Sequence, residues 1–517
     1  MRLKAITGIM LTVVLLGMLT LSFNVEPVAA SVEVDWWPMF CHDLNHTGHS
    51  TSTAPNTNNT IWSYTTGGGV MSSPAVVDGR VYAGSGDNKI YCLNASTGAH
   101  IWNYTTGDGV HSPAVVDGRV YVGSDDNKIY CLDALTGEHM WDYTTGADIG
   151  LSSPAVAGGR VYVGSYDSKV YCLDASTGEH IWNYTTGSMV WSSPAVVGGK
   201  VYVGSWDSNF YCLDASTGEH IWNYTAGAAV GSSPTVSDGV VYVGSGDKNV
   251  YCLDASSGTR IWNYTTGDIV GSTPAVVGGK VYVGSYDGNF YCLDASTGAH
   301  LWNYTTGDIV LPSPAVVDSR VYVGSWDSKV YCLDASTGAL IWSYTTGAAV
   351  ASPAVAGGIV YVGSDDAKVY AFGPLVWSTD SAGNSKSTFE LTDDVYVRGQ
   401  GFTADTSVTI YLIPDGADAL PSNAVATASI TTDTTGELPV TLVWSQSLTI
   451  GEYDVWVDEN QNGVLDGADV WNSQSIDIYP LEVIPEFLTW TSTLLVPIIL
   501  TIAVNIYKRR QLKKTIH

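Results

Sequence analysis

The sequence predicts an all-β protein: an eight-bladed β-propeller, then an Ig-like β-sandwich, then one C-terminal transmembrane helix. Three observations predict it. A unit of 39 to 41 residues recurs along most of the chain, a period that suits one four-stranded blade. Each copy breaks into four short apolar or aromatic runs separated by glycine-bearing turns. The composition favours strands, with 31 tyrosines, 18 tryptophans and 55 glycines against only 14% charged residues.

The chain opens with Arg2 and Lys4, an apolar run and then "VEPVAAS". That order is a secretory signal over residues 1–30 with a cut after Ala30, an uncleaved anchor being the alternative. Residues 31–60 form a lead-in. The repeat occupies 61–373, and the copy that starts at Ser193 shows its grammar. "SPAVV" is an inner strand, "VYVGS" a second, "WDSN" a tight hairpin, "FYCLD" a third, "ASTG" a turn and "HIWNYT" the outer strand. The Ser/Thr-Pro start recurs at Pro74, Pro113, Pro154, Pro194, Pro234, Pro274, Pro314 and Pro353, which makes eight blades. The last copy stops after "KVYAFG" at Gly373, one strand short, while "IWSYTTG" at Ile61 is a spare outer strand. The ring therefore closes with an N-terminal strand, and closure removes exposed edges. A linear solenoid would need capping units, and none is visible.

Seven cysteines (Cys92, Cys131, Cys172, Cys212, Cys252, Cys292, Cys332) sit in third strands, and Cys41 stands outside the repeat. Third strands lie ~10 Å outside the innermost ones, so equivalent positions in adjacent blades are further apart than the ~7 Å Cα limit of a disulfide. The same spacing forbids a shared metal and a cluster of the repeated His100, His139, His180, His220 and His300. Small buried hydrophobe is the expected role, and the last copy carries Ala371 at this position.

"CLDASTGEHIW" resembles the PQQ-like, or quinoprotein-type, propeller repeat: Asp174, Thr177, Gly178 and Trp182 in one copy, Asp214, Thr217, Gly218 and Trp222 in the next. The first copy departs with Asn94 and the fifth with Ser257. The resemblance implies that the tryptophans Trp102, Trp141, Trp182, Trp222, Trp262, Trp302 and Trp342 dock between adjacent blades. It also raises a quinone-dependent oxidoreductase. Such enzymes add a vicinal cysteine pair, calcium and a base; this chain has no adjacent cysteines and no CxxCH haem site. PQQ is therefore not expected. Family members also serve as scaffolds similar to the propeller lipoprotein of outer-membrane assembly.

The second-to-third hairpins and the blade-to-blade loops emerge on one face. The hairpin aspartates Asp87, Asp126, Asp167, Asp207, Asp247, Asp287, Asp327 and Asp366 are expected to cap their own turns. The residue before them varies and is aromatic at Tyr166, Trp206, Tyr286 and Trp326. Trp191 and His111, in blade-to-blade loops, join that face, giving a candidate surface for sugars or a protein. Sequons recur at Asn103, Asn183, Asn223, Asn263 and Asn303, with others at Asn45, Asn58 and Asn94, and are expected on the circumference.

Residues 374–480 lose the repeat and show strand-like runs such as "SVTIYLI" and "EYDVWV", the pattern of an Ig-like sandwich. Within them "DENQNGVLDGAD" places Asp458, Asn460, Asn462, Asp466 and Asp469 at loop positions that supply oxygens, with the Val464 carbonyl between them. That spacing matches an EF-hand-type calcium loop, with Asp in place of the final Glu, and predicts a structural Ca2+. Residues 481–486 form a linker. Phe487 to Tyr507 holds no charge and as a helix of 21 residues spans ~31 Å, enough for a bilayer core. The basic tail 508–517 then lies in the cytoplasm and everything before the helix outside. "VIPEFLTW" resembles the Pro-Glu-Phe sorting signals of archaeal surface proteins, with Leu488 where those usually carry proline. A formal net charge of −28 excludes a nucleic-acid partner on electrostatic grounds. The expected function is a non-enzymatic, membrane-anchored surface protein, structural, adhesive or ligand-presenting, whose partner is an envelope polysaccharide or surface protein.

Overall fold

The computed structural model describes residues 35–479 apart from 56, 380–387, 391–394, 403–404, 415–425, 435, 445–450 and 459–469. The signal-like segment, the linker 481–486, the apolar span 487–507 and the basic tail lie outside the described residues. Among the described residues no helix is long and apolar enough to cross a membrane.

Eight antiparallel sheets make an eight-bladed propeller. Blade 1 runs from its inner strand Ala75–Val77 through Arg80–Ser85 and Lys89–Asn94 to its outer strand His100–Thr105. Blade 8 holds Ala354–Ala356, Ile359–Ser364 and Lys368–Phe372, and its outer strand is Thr60–Thr65 from the N-terminal side. Trp62 stands opposite Ala371 and Thr65 opposite Lys368. Second and third strands are buried on both faces because a neighbouring sheet covers each face, so "VYVG" and "VYCL" read as continuous apolar runs. Outer strands bury only their tryptophan and leave their other residues exposed or half-buried.

The lead-in has a place that its sequence does not announce. Residues 35–52 run inside the ring, where the inner strands would otherwise leave backbone donors unpaired. The backbone N–H of Val76 donates to the Trp37 carbonyl (2.7 Å), Val115 to Pro38 (2.7 Å), Val196 to Leu44 (2.9 Å) and Val236 to Asn45 (2.8 Å). Val276 then donates to Thr47 (3.1 Å) and Val316 to Gly48 (2.7 Å). His49–Ser50 pairs parallel with Ala315–Val317, and Ser52 Oγ accepts from the Gly358 N–H at 3.0 Å in blade 8. In chain order the segment makes one circuit of the channel, from blade 1 to blade 8.

The same segment completes the short eighth blade. In blades 1 to 6 a second-strand tyrosine donates to an alanine carbonyl in a turn of the next blade, as Tyr121 does to Ala175 and Tyr162 to Ala215, each at 3.0 Å. Blade 8 has no such turn to offer blade 7. Tyr322 donates instead to the Pro55 carbonyl (2.9 Å) and Arg320 to Ala54 (3.1 Å). The lead-in leaves beside the inner-to-second turn of blade 7, where the Ala54 N–H meets Asp318 at 3.2 Å. Gly373, at the end of the propeller, packs near the corresponding turn of blade 8 at Gly358. The lead-in's exit from the channel and the chain's departure at Gly373 thus lie on the turn face, opposite the hairpins.

Beyond Gly373 two sheets enclose a second core that includes Val395, Phe402, Ile410, Leu412 and Val455. One sheet orders Leu375–Thr379, Val395–Gln400 and Leu438–Trp444; the other orders Thr388–Glu390, Val470–Tyr479, Gly451–Asp458, Ser407–Pro414 and Ala426–Thr431.

Candidate functional site

The hairpin aspartates are consumed by the scaffold. Asp126 Oδ1 accepts from the Lys128 N–H in its own turn at 3.1 Å. Its Oδ2 accepts from the Tyr130 hydroxyl at 2.6 Å and from the Gly107 N–H, on the loop leading out of blade 1, at 2.7 Å. The carboxylate therefore caps a turn and also ties one blade to the next, and the second role was not visible in the repeat. Burial and the adjacent carboxylate both push the Tyr130 hydroxyl well above the usual phenol range.

The residues just before these aspartates have no such duty, and they cluster. Tyr166 and Trp191 meet edge to face at 6.1 Å between ring centroids, and Trp191 and Trp206 at 4.7 Å. Tyr286 and Trp326 form a second group at 6.4 Å. Trp206 and Trp326 remain 38% and 37% exposed, so part of each side chain is open to a ligand. Burial pushes the Tyr166 phenol up to about 12, so it stays a neutral donor. His111 lies elsewhere on the face, bound through Nε2 to Asp125 Oδ1 at 2.7 Å. The five aromatic candidates are thus brought together as two groups, with glycines between them.

Every outer-strand tryptophan but Trp342 lies against the turn of the next blade. Trp141 donates from Nε1 to the Ala175 carbonyl (3.1 Å), and Trp182 does the same to Ala215 (3.1 Å). Gly178 has φ +74°, and a Cβ there would sit 2.6 Å from the Trp141 ring, so both backbone and ring contact demand glycine. Trp102, Trp222 and Trp262 repeat the bond to Ala134, Ala255 and Ala295. Trp302 packs on Gly338, while Trp342, facing the blade without a turn, meets Phe372 at 6.1 Å. Trp62 is an eighth member, missed in the sequence because it precedes the first full copy; it donates to Ala95 at 2.8 Å.

A family model described as outer membrane protein assembly factor BamB, of the PQQ repeat type, matches overlapping stretches 47–189, 148–231, 186–309, 249–371 and 309–439. The chain belongs to this PQQ-repeat family. No curated protein matches it. Among solved structures, BamB from Moraxella catarrhalis is 20% identical with a TM-score of 0.55, over 61% of this chain and 99% of that one. A europium-containing methanol dehydrogenase is 16% identical with a TM-score of 0.57, over 66% and 98%. The computationally designed Ika8 protein is 18% identical with a TM-score of 0.56, over 61% and 99%. At these identities the likeness is one of fold.

The PQQ-repeat family raises a quinone, and the residues on this axis do not fit one. The channel is taken by Trp37 to Ser52, and all eight cysteines are free and buried. Burial pushes the thiols up, to about 11 at Cys172 and about 12 at Cys92, so none is a nucleophile. Cys41 lies in the lead-in, its thiol on Ser313. The repeated histidines pack between blades: His100 stacks on Tyr64 of blade 8 at 6.1 Å. Among the described residues no group of three or more His, Cys, Asp or Glu could hold a metal.

Asn103, Asn183, Asn223, Asn263 and Asn303 are exposed on outer strands. Two sequons depart from the expected circumference. Asn45 lies half-buried inside the ring, because the lead-in threads the channel. Asn94 is half-buried at the end of a third strand, its side-chain oxygen capping the Ser96 and Thr97 N–H groups. Asn58 is exposed at the seam and donates to the Ser343 carbonyl (2.9 Å). Of the calcium loop, Asn460, Asn462, Val464, Asp466 and Asp469 lie outside the described residues. Asp458 ends a strand whose Val457 pairs with Val470, so paired strands rather than helices bracket the loop.

Proposed function

We propose that this chain is a non-enzymatic surface protein that presents the hairpin face of its propeller to a ligand or partner. The reading is that it is exported, held at the outer side of the membrane by residues 487–507 in an archaeal type of envelope, and glycosylated on its outer strands. Residues 374–480 act as an Ig-like stalk stiffened by Ca2+ in the 458–469 loop.

The observation that carries this reading is the placement of the aromatics. The tryptophans of the outer strands and the hairpin aspartates recur because they hold blades together, whereas Tyr166, Trp191, Trp206, Tyr286 and Trp326 stand at positions where other blades carry glycine or aspartate, so the ring closes without them. They lie on the face opposite the departure at Gly373, so a propeller attached from its C-terminal side would offer that face outward. The family match favours an assembly scaffold as the second reading, in which the same face would take a protein.

The test compares the full-length chain with a Trp206→Ala/Trp326→Ala double variant for binding to isolated cell envelopes. Loss of binding with unchanged thermal unfolding supports a presenting face, and undiminished binding refutes it. Intact mass of the purified protein reporting a quinone would overturn the non-enzymatic reading in favour of the oxidoreductase.

A further inference from the structure

The aromatic face has a gap with a definite shape. Blade 5 carries Gly231 and Gly246 at the two positions where blade 4 carries Trp191 and Trp206. Neither glycine has positive φ, so the backbone does not demand glycine at either place. Crowding does not demand it either. A Cβ at Gly246 would meet nothing nearer than the Ala229 carbonyl at 3.3 Å and Ala228 at 3.5 Å. A Cβ at Gly231 would lie 3.4 Å from Trp206 Nε1 and 3.7 Å from Trp191. The Trp206 N–H thus borders the space, and no described residue accepts from it. Tyr286 of blade 6 stands on the other side, beside Gly271.

Resting on the reading that the hairpin face binds, we infer that the blade 5 notch between Trp206 and Tyr286 is the seat of a neutral oligosaccharide. A pyranose offers a C–H face of partial positive charge to the negative face of an indole, and its hydroxyls accept from an indole N–H. Flat aromatic walls with a few polar groups at the edge suit that ligand. Charge disfavours an anionic chain. Lys248, two residues beyond Gly246 on the same hairpin, is held by Asp268 at 3.4 Å and by the Gly267 carbonyl at 3.1 Å. Asp268 and Asp308 stand on the loops beyond, and the whole chain carries −28, so a polyanionic polysaccharide is repelled.

The experiment titrates the full-length chain with cellohexaose, chitohexaose and mannohexaose, with an alginate hexamer and a basic peptide as charged comparators, by tryptophan fluorescence and calorimetry. At least one neutral hexaose binds. Gly246→Tyr and Gly231→Leu install side chains that other blades carry at these positions, and each weakens that binding about tenfold or more while unfolding stays unchanged. Failure of all three neutral sugars to bind overturns the inference, as does preference for the anionic chain or the peptide. Sugar binding lost in Trp206→Ala/Trp326→Ala but unaffected by both glycine replacements also overturns it, and leaves the presenting face standing.

Discussion

The lead-in should loosen from the channel as pH rises past neutrality, and His42 should be the cause. His42 Nε2 bonds Asp35 Oδ1 at 3.0 Å, and its Nδ1 lies 3.7 Å from Asp43 Oδ2. Asp35 in turn accepts from Ser50 Oγ (3.1 Å) and Thr51 Oγ1 (2.9 Å), so this cluster joins the beginning of the circuit to its end. Burial opposes the imidazolium, but the hydrogen bond to Asp35 and the charges of Asp35 and Asp43 outweigh it and push His42 from 6.5 up to about 9. The side chain is only 14% exposed, so solvent screens the pair little. The gap between 6.5 and about 9 corresponds to about 3 kcal/mol. A folded value above the unfolded one means that this stability is complete below pH 6.5 and is lost as pH climbs through 9. His46 works in the opposite sense. Burial holds it down to about 4, against its bond to the Pro234 carbonyl, so the folded state weakens as pH falls from 6.5 towards 4. Hydrogen exchange of the inner-strand amides that the lead-in protects, among them Val76, Val196 and Val316, reads the effect directly. Protection should peak near pH 6.5 after correction for intrinsic rates. His42→Gln should remove the alkaline limb and leave the acidic one. An alkaline limb unchanged in His42→Gln would refute the assignment.

Three other outcomes follow from the same geometry. Trp62→Ala, which opens the seam between the last and first blades, should cost about 3–5 kcal/mol in chemical unfolding, because a buried indole and its bond to Ala95 are lost. Gly218→Ala should lower the thermal midpoint measurably, since its φ is +75° and the new Cβ would meet Trp182 at 2.6 Å; Gly246→Ala, without either constraint, should not. The eight thiols should be silent to a thiol reagent in the folded protein and react together once denaturant unfolds it, because all are buried; a fast-reacting thiol at neutral pH would contradict their assignment as filler.

Much of this molecule is written locally. Eight Ser/Thr-Pro starts, the alternation of strand and turn signals, and the missing outer strand after Gly373 specify eight blades and an N-terminal closure, because each is a short-range pattern repeated many times. The aromatic residues before the hairpin aspartates were legible for a related reason: they vary where the scaffold does not. Their grouping was not. Whether Trp191 meets Trp206, and whether Gly231 and Gly246 leave a space between two walls, depends on side chains from different blades brought within a few ångströms by ring closure. The lead-in was opaque for a stronger reason. Residues 35–52 carry no periodicity, since their partners are backbone donors on inner strands spread from Val76 to Val316, and Ala54–Pro55 replace a turn absent some 300 residues later. The local repeat decided how each blade folds; only the closed ring decided what fills its axis and which side chains share its face, because those contacts exist between blades and nowhere within one.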